Sequence, residues 1–126
     1  MGVKMLHTCI RVTNLEESLR FYKEALGLVE IRRKDFPEHK FTLVYLSSEI
    51  GEHEIELTYN YDREKPYEIG DGYSHIAIGV DELEASRQKQ ITLGYEVTEL
   101  KGLPGEQSRY YFVTDPDGYK VEVIRN

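Results

Sequence analysis

The chain has 126 residues, room for one compact domain or two very small fused modules, and its 40% hydrophobic and 31% charged residues exclude a disordered chain. A net charge of −7 argues against nucleic acid as a partner, and no apolar run approaches the roughly 20 residues that span a bilayer. The Met1–Met5 segment lacks the apolar stretch of a leader, Leu6 stands where a myristoylation motif needs Ser or Thr, and Cys9, the single cysteine, can close no intrachain disulfide. The expected frame is therefore one domain in the cytoplasm, with no membrane partner.

In chain order, the run K-M-L-H-T-C-I-R-V at Lys4–Val12 predicts a strand that stops at Thr13-Asn14. Leu15, Leu19, Tyr22 and Leu26 then recur at helical spacing, and Gly27 holds the stop position just past the helix. Three strand-like stretches follow, Leu28–Lys34, Phe41–Ser48 and His53–Tyr61. Asp62–Gly72, rich in charge, Pro and Gly, reads as a linker. Fully extended it spans at most about 36 Å, enough for two modules of one chain to meet or for modules of two chains to pair. At Tyr73 the pattern starts again with Y-S-H-I-A-I-G-V. Asp81 with Glu84 three residues on carries a capping-box signature, and Gly94 ends the helix. Strands are expected at Tyr95–Leu100, Arg109–Val113 and Tyr119–Arg125, the last two joined by a type I turn at Asp115-Pro116-Asp117-Gly118.

The repetition is numerical as well as visual. His75 follows His7 by 68 positions, Gly94 follows Gly27 by 67, and Glu122 follows Glu56 by 66. The order is βαβββ twice, an α+β fold of two tandem modules, about 1–61 and 73–126, forming a single domain with linker 62–72. Side by side, two such modules would form a cleft with equivalent residues facing it.

Side chains alternate across a strand, which sorts the candidates. Leu6, Thr8, Ile10 and Val12 form an apolar or β-branched face, so Met5, His7, Cys9 and Arg11 share the opposite one. Ile55, Leu57 and Tyr59 place Glu54, Glu56, Thr58 and Asn60 opposite; Ile76, Ile78 and Val80 oppose His75, and Val121 and Val123 oppose Glu122. Two histidines and two glutamates thus emerge at repeat-matched positions. Independently solvated residues would not match in this way. His39 lies in a loop, His53 has the wrong parity, and Glu54 has Lys120 as its repeat mate, so all three are set aside. Two imidazoles and two carboxylates suit a borderline divalent metal such as Ni, Zn, Co or Fe, and in an octahedral shell they leave two positions for exchangeable ligands.

The stretches H-T-C-I-R-V (His7–Val12), E-S-L-R-F-Y-K-E-A-L-G (Glu17–Gly27), I-E-L-T-Y-N (Ile55–Asn60), G-Y-S-H-I-A-I (Gly72–Ile78) and D-P-D-G-Y-K-V-E-V-I (Asp115–Ile124) together resemble the glyoxalase I family of the vicinal-oxygen-chelate superfamily, across essentially the whole chain. D-P-D-G with a Glu four residues on is common in the superfamily; E-L-T-Y-N with both His strands is specific to this family. The resemblance implies metal ligands His7, Glu56, His75 and Glu122, the four that parity selects. It implies that Arg11 holds a glutathione carboxylate and Asn60 the glutathione backbone. Each lies four residues from a ligand on one strand face, about 13 Å along. A second arginine of longer members falls at Asp71, leaving Lys101 and Arg109 as the basic candidates for the other thiol carboxylate. The short chain and His at the first ligand look like the compact bacterial form, for which Ni2+ is the expected ion, with Co2+ or Zn2+ as alternatives, and a homodimer the expected assembly.

The chemistry so implied is a carbon–sulfur lyase reaction, isomerisation of the methylglyoxal–glutathione hemithioacetal to S-lactoylglutathione. A Lewis-acid metal stabilises the enediolate. Glu122 is the implied base and Glu56 its partner on the opposite face. Thiol transferases and ring-cleaving dioxygenases of the same fold typically use three ligands, and metal-free drug-binding modules need none. The presence of all four speaks against these rivals.

Overall fold

The computed structural model describes residues 2–126; Met1, part of the opening segment read above, lies outside them. The chain divides into two compact units, one ending at Tyr67 and the other starting at Glu68, a boundary inside the charged Pro/Gly segment. No helix among the described residues is long and apolar enough to cross a membrane.

The first unit is a four-stranded sheet with a helix. Its strands are β1 (His7–Val12), β2 (Val29–Phe36), β3 (Phe41–Ser47) and β4 (Glu54–Asn60), in spatial order β1-β4-β3-β2. β1 and β4 run parallel, while β3 is antiparallel to both its neighbours. The helix α1 (Leu15–Leu19) starts at Asn14, whose side-chain oxygen accepts the Glu17 N–H at 3.1 Å. It continues as a wider π-type run, Arg20–Ala25, closed by bonds such as Leu26 N–H to Phe21 C=O at 3.1 Å. The buried stripe differs from the predicted one. Ser18, Phe21, Tyr22 and Ala25 face the sheet, whereas the predicted stripe members Leu15, Leu19 and Leu26 are only half-buried. Gly27 sits at φ +83°, the left-handed stop its position predicts.

The second unit carries β5 (Ile76–Val80), α2 (Leu83–Thr92), β6 (Tyr110–Thr114) and β7 (Lys120–Arg125) in a sheet of order β5-β7-β6. Here too the opening and closing strands, β5 and β7, pair in parallel. The expected strand Tyr95–Leu100 is not regular. The segment touches β6 through the single bridges Val97–Val113 and Lys101–Tyr110. Thr98 explains this: its hydroxyl oxygen accepts the Phe112 N–H at 2.9 Å, a donor a regular ladder would give to a carbonyl. The α+β architecture holds, but the second sheet has three strands.

The capping box is also corrected. α2 begins after Glu82, which makes no side-chain cap. Asp81 instead accepts from the Asn126 amide at 3.0 Å, and Glu84 is ion-paired to Arg125 at 2.9 Å. Both carboxylates are drawn away to the closing strand. The Asp115–Gly118 turn forms as expected, with Gly118 N–H to Asp115 C=O at 3.0 Å and the Asp115 carboxylate accepting from the N–H groups of Asp117 and Tyr119 at 2.9 and 2.8 Å.

Under the second sheet the buried Tyr111 hydroxyl donates to the Gln90 amide oxygen at 2.6 Å and lies 2.9 Å from Ser86 Oγ. Tyr111→Phe leaves that amide oxygen buried without its short donor. It is expected to lower stability by about 1–3 kcal/mol in urea unfolding, with the denaturant slope unchanged.

Candidate metal centre

In the first unit the parallel register sets Cys9 opposite Glu56, so His7, two residues earlier on the same face, reaches the Glu56 carboxylate. His7 Nε2 lies 2.9 Å from Glu56 Oε1. In the second unit Ala77 stands opposite Glu122, and His75 Nε2 lies 3.1 Å from Glu122 Oε1. His75 sits one residue ahead of β5, so three of the four candidates lie within strands and the fourth on the approach to one. Both glutamate side chains are mostly covered, 11% and 18% exposed, and both imidazoles stay about a third open, at 38% and 34%.

These separations are hydrogen-bond distances. They are also the spacing of two donors at right angles around an ion, about 3.0 Å for ligand bonds of about 2.1 Å. In each pair a nitrogen and a carboxylate oxygen converge with the imidazole face open, which fits a divalent transition metal. Among the described residues no group of three or more His, Cys, Asp or Glu gathers for a metal; each unit offers two donors. The His75 ring is oriented from behind, its Nδ1 lying 2.8 Å from Ser74 Oγ. The approach to β5 is tied down by Tyr73, whose hydroxyl donates to the Lys120 carbonyl at 2.8 Å.

Each imidazole also packs edge-on against an aromatic ring from the strand beyond its glutamate's. His7 meets Tyr45 at 5.7 Å and His75 meets Phe112 at 5.3 Å, both at 77°. Tyr45 is the register partner of Glu56, and Phe112 that of Glu122. Residue type alone marks neither position in the sequence. Their separation of 67 residues, the same as the repeat offset, is the signal that finds them.

The other candidates fall as follows. Arg11 is exposed on the His7 face, opposite Thr58. Asn60, one step further along β4 on that face, is half-buried and donates to the Tyr67 hydroxyl at 3.1 Å. Lys101 and Arg109 close the neck of one exposed loop, with a 2.6 Å bond from Arg109 N–H to the Lys101 carbonyl. Two of the three side chains set aside have structural partners: His53 Nε2 is 2.9 Å from Thr8 Oγ1, and Glu54 is 2.7 Å from Arg32 Nη1.

Residues 4–123 match the model of the Glyoxalase/Bleomycin resistance protein/Dioxygenase superfamily. The chain is 45% identical to the lactoylglutathione lyase of Haemophilus influenzae, over 98% of this chain and 93% of that one. It is 40% identical to the lactoylglutathione lyase of Escherichia coli O157:H7, over 97% and 92%. Among solved structures, the trypanothione-dependent glyoxalase I of Leishmania major superposes with a TM-score of 0.89 at 36% identity, over 98% of this chain and 87% of that one. Glyoxalase I from Zea mays gives a TM-score of 0.90 at 34% identity, over 98% of this chain and 44% of that one.

Burial, together with the nearby Asp115 carboxylate, pushes the Tyr73 hydroxyl up to about 12 from its ordinary 10.0. A tyrosine held neutral in the fold adds stability in full below pH 10, and that stability is lost as pH rises towards 12. Unfolding free energy measured across this window should fall with pH in the wild type and fall less steeply in Tyr73→Phe. Equal slopes would show that Tyr73 does not set the alkaline limit.

Proposed function

The chain belongs to the Glyoxalase/Bleomycin resistance protein/Dioxygenase superfamily, and on that premise we propose that it is a lactoylglutathione lyase, converting the methylglyoxal–glutathione hemithioacetal to S-lactoylglutathione. One observation carries the reading: two His–Glu pairs at repeat-matched places, 2.9 and 3.1 Å apart, on strands paired in the same parallel way. Curated relatives with 40–45% identity over nearly the whole chain bear the same activity in their names. A three-ligand transferase or dioxygenase site would leave Glu56 without a role.

His7, Glu56, His75 and Glu122 hold one divalent ion, Ni2+ in this reading, with Co2+ or Zn2+ as substitutes. Each unit supplies two of the four ligands, and the active form is a homodimer. When bound, the ion draws negative charge from the substrate oxygens and so lowers the cost of the enediolate. The remaining work belongs to the chain's own side chains. Glu122 accepts the proton from the carbon bonded to sulfur and returns it to the neighbouring carbon. The electron pair stays within the substrate, so no redox partner is needed. Glu56 faces the opposite side. Arg11 grips a carboxylate of the thiol by paired hydrogen bonds and Asn60 holds its backbone, while Lys101 or Arg109 meets the second carboxylate. A reaction that consumes a free thiol belongs in a reducing compartment, which places it in the cytoplasm.

The test is to strip the protein of metal, add back Ni2+, Co2+ or Zn2+ singly, and follow thioester formation from methylglyoxal and glutathione. Turnover is expected to return with metal. Glu122→Gln should abolish it while keeping most of the metal, and Glu56→Gln should lose activity less completely. Full activity in Glu122→Gln would overturn the mechanism, and equal losses would overturn the division of roles. Arg11→Ala removes a charge-assisted contact to a remote group. It should lower kcat/KM by roughly 10- to 150-fold, mainly through KM.

A further inference from the structure

The two His–Glu pairs match in geometry but not in what stands behind them. Across the first sheet, Arg32, Tyr45, Glu56 and Cys9 form one cross-strand row. Across the second, the row reads Phe112, Glu122, Ala77. Tyr45 is only 7% exposed, and its ring is clamped from two sides. The His7 imidazole meets it edge-on at 5.7 Å, and the Arg32 guanidinium lies 3.9 Å over it. Arg32 is itself held by Glu54 at 2.7 Å. Tyr45 stands opposite Glu56 in the β3–β4 register, so the clamped ring and that carboxylate are neighbours on one face of the sheet. Phe112 stands at the same interplanar angle to His75 and opposite Glu122, and it has no hydroxyl to offer. Ala77, on the far side of Glu122, offers no polar side chain either.

We propose that Tyr45 is a positioning residue that fixes Glu56 as a permanent ligand, and that Phe112 at the matching place leaves Glu122 free to swing between ligand and base. The proposal rests on the reading of these four residues as metal ligands and supplies a physical cause for their unequal roles. Two carboxylates on a symmetric scaffold would otherwise be interchangeable. One missing hydroxyl makes them different.

Two single substitutions exchange the rows. Tyr45→Phe deletes the hydroxyl and keeps the ring; Phe112→Tyr adds one on the residue opposite Glu122. The first measurement uses metal alone, the rate at which bound Ni2+ or Co2+ passes to excess chelator. Tyr45→Phe is expected to speed that loss by about tenfold, the low end for a charge-assisted hydrogen bond. Phe112→Tyr should slow metal loss and lower kcat by about tenfold, with KM little changed, because the base is now held. The visible spectrum of the Co2+ form should shift in both variants as the carboxylate ligands change. Tyr111→Phe, which removes a buried hydroxyl from the packing layer, is the control: it should lower stability and leave metal loss unchanged. Metal loss within twofold of wild type in Tyr45→Phe overturns the proposal, as does an equal acceleration in Tyr111→Phe. The function proposed above fails separately, through a wild type that binds the ion but does not turn over methylglyoxal with glutathione. A wild type that binds no divalent ion overturns both.

Discussion

Everything at the candidate centre depends on the parallel pairing of the strand that opens each unit with the strand that closes it. A parallel neighbour cannot be reached by a tight hairpin; here a helix and further strands intervene, and the chain returns to pair 45 to 47 residues later. Its return sets a histidine at the start of one strand beside a glutamate of the other, on one face, at hydrogen-bond distance. A register slip of one residue would send the glutamate to the buried face, among Ile55 and Leu57 or Val121 and Val123. The hydrophobic core therefore enforces the position of the polar pair. Burial of the alternate residues fixes the register, and the register fixes the donors.

On this common frame the units diverge where chemistry or packing asks for it. Beneath the first sheet the large buried polar ring comes from the helix, as Tyr22; beneath the second it comes from the sheet, as Tyr111, and Gln90 stands on the helix to meet it. Ser18 and Ser86 hold matching places in the two helices, and Tyr22 and Gln90 stand four residues further on in each. The open faces differ too. Arg11 in the first unit has Gly79 as its repeat mate, and a side chain at Gly79 would collide with the Asn126 amide, itself bonded to Asp81. One unit carries an exposed guanidinium there, and the other has the Asn126 side chain in the matching space.

The repeat, the parity of β1, β4 and β7 and the four candidate ligands were legible from residue spacing alone, because alternation across a strand survives without knowledge of its neighbours. Features set by competition between partners were not. The helical stripe was offset by one strip of the same helix: Ser18, Phe21 and Ala25 are buried beside Tyr22, a choice that helical spacing alone leaves open against Leu15, Leu19 and Leu26. The strand expected at Tyr95–Leu100 was lost to a side-chain hydroxyl, that of Thr98, which takes a ladder hydrogen bond. The Asp81/Glu84 capping box gave way to Asn126 and Arg125, residues about 40 positions away. Tyr45 and Phe112 escaped notice because their importance lies in register, not in residue type.

The proposed function requires the two His–Glu pairs to share one ion. The most direct measurement is the count of metal ions per chain, combined with X-ray absorption at the edge of the bound Ni2+. The account predicts one ion per chain with two imidazoles in its shell, falling to one imidazole in His75→Ala. Two ions per chain, each with a single imidazole, would mean that the pairs bind metal independently and would contradict it.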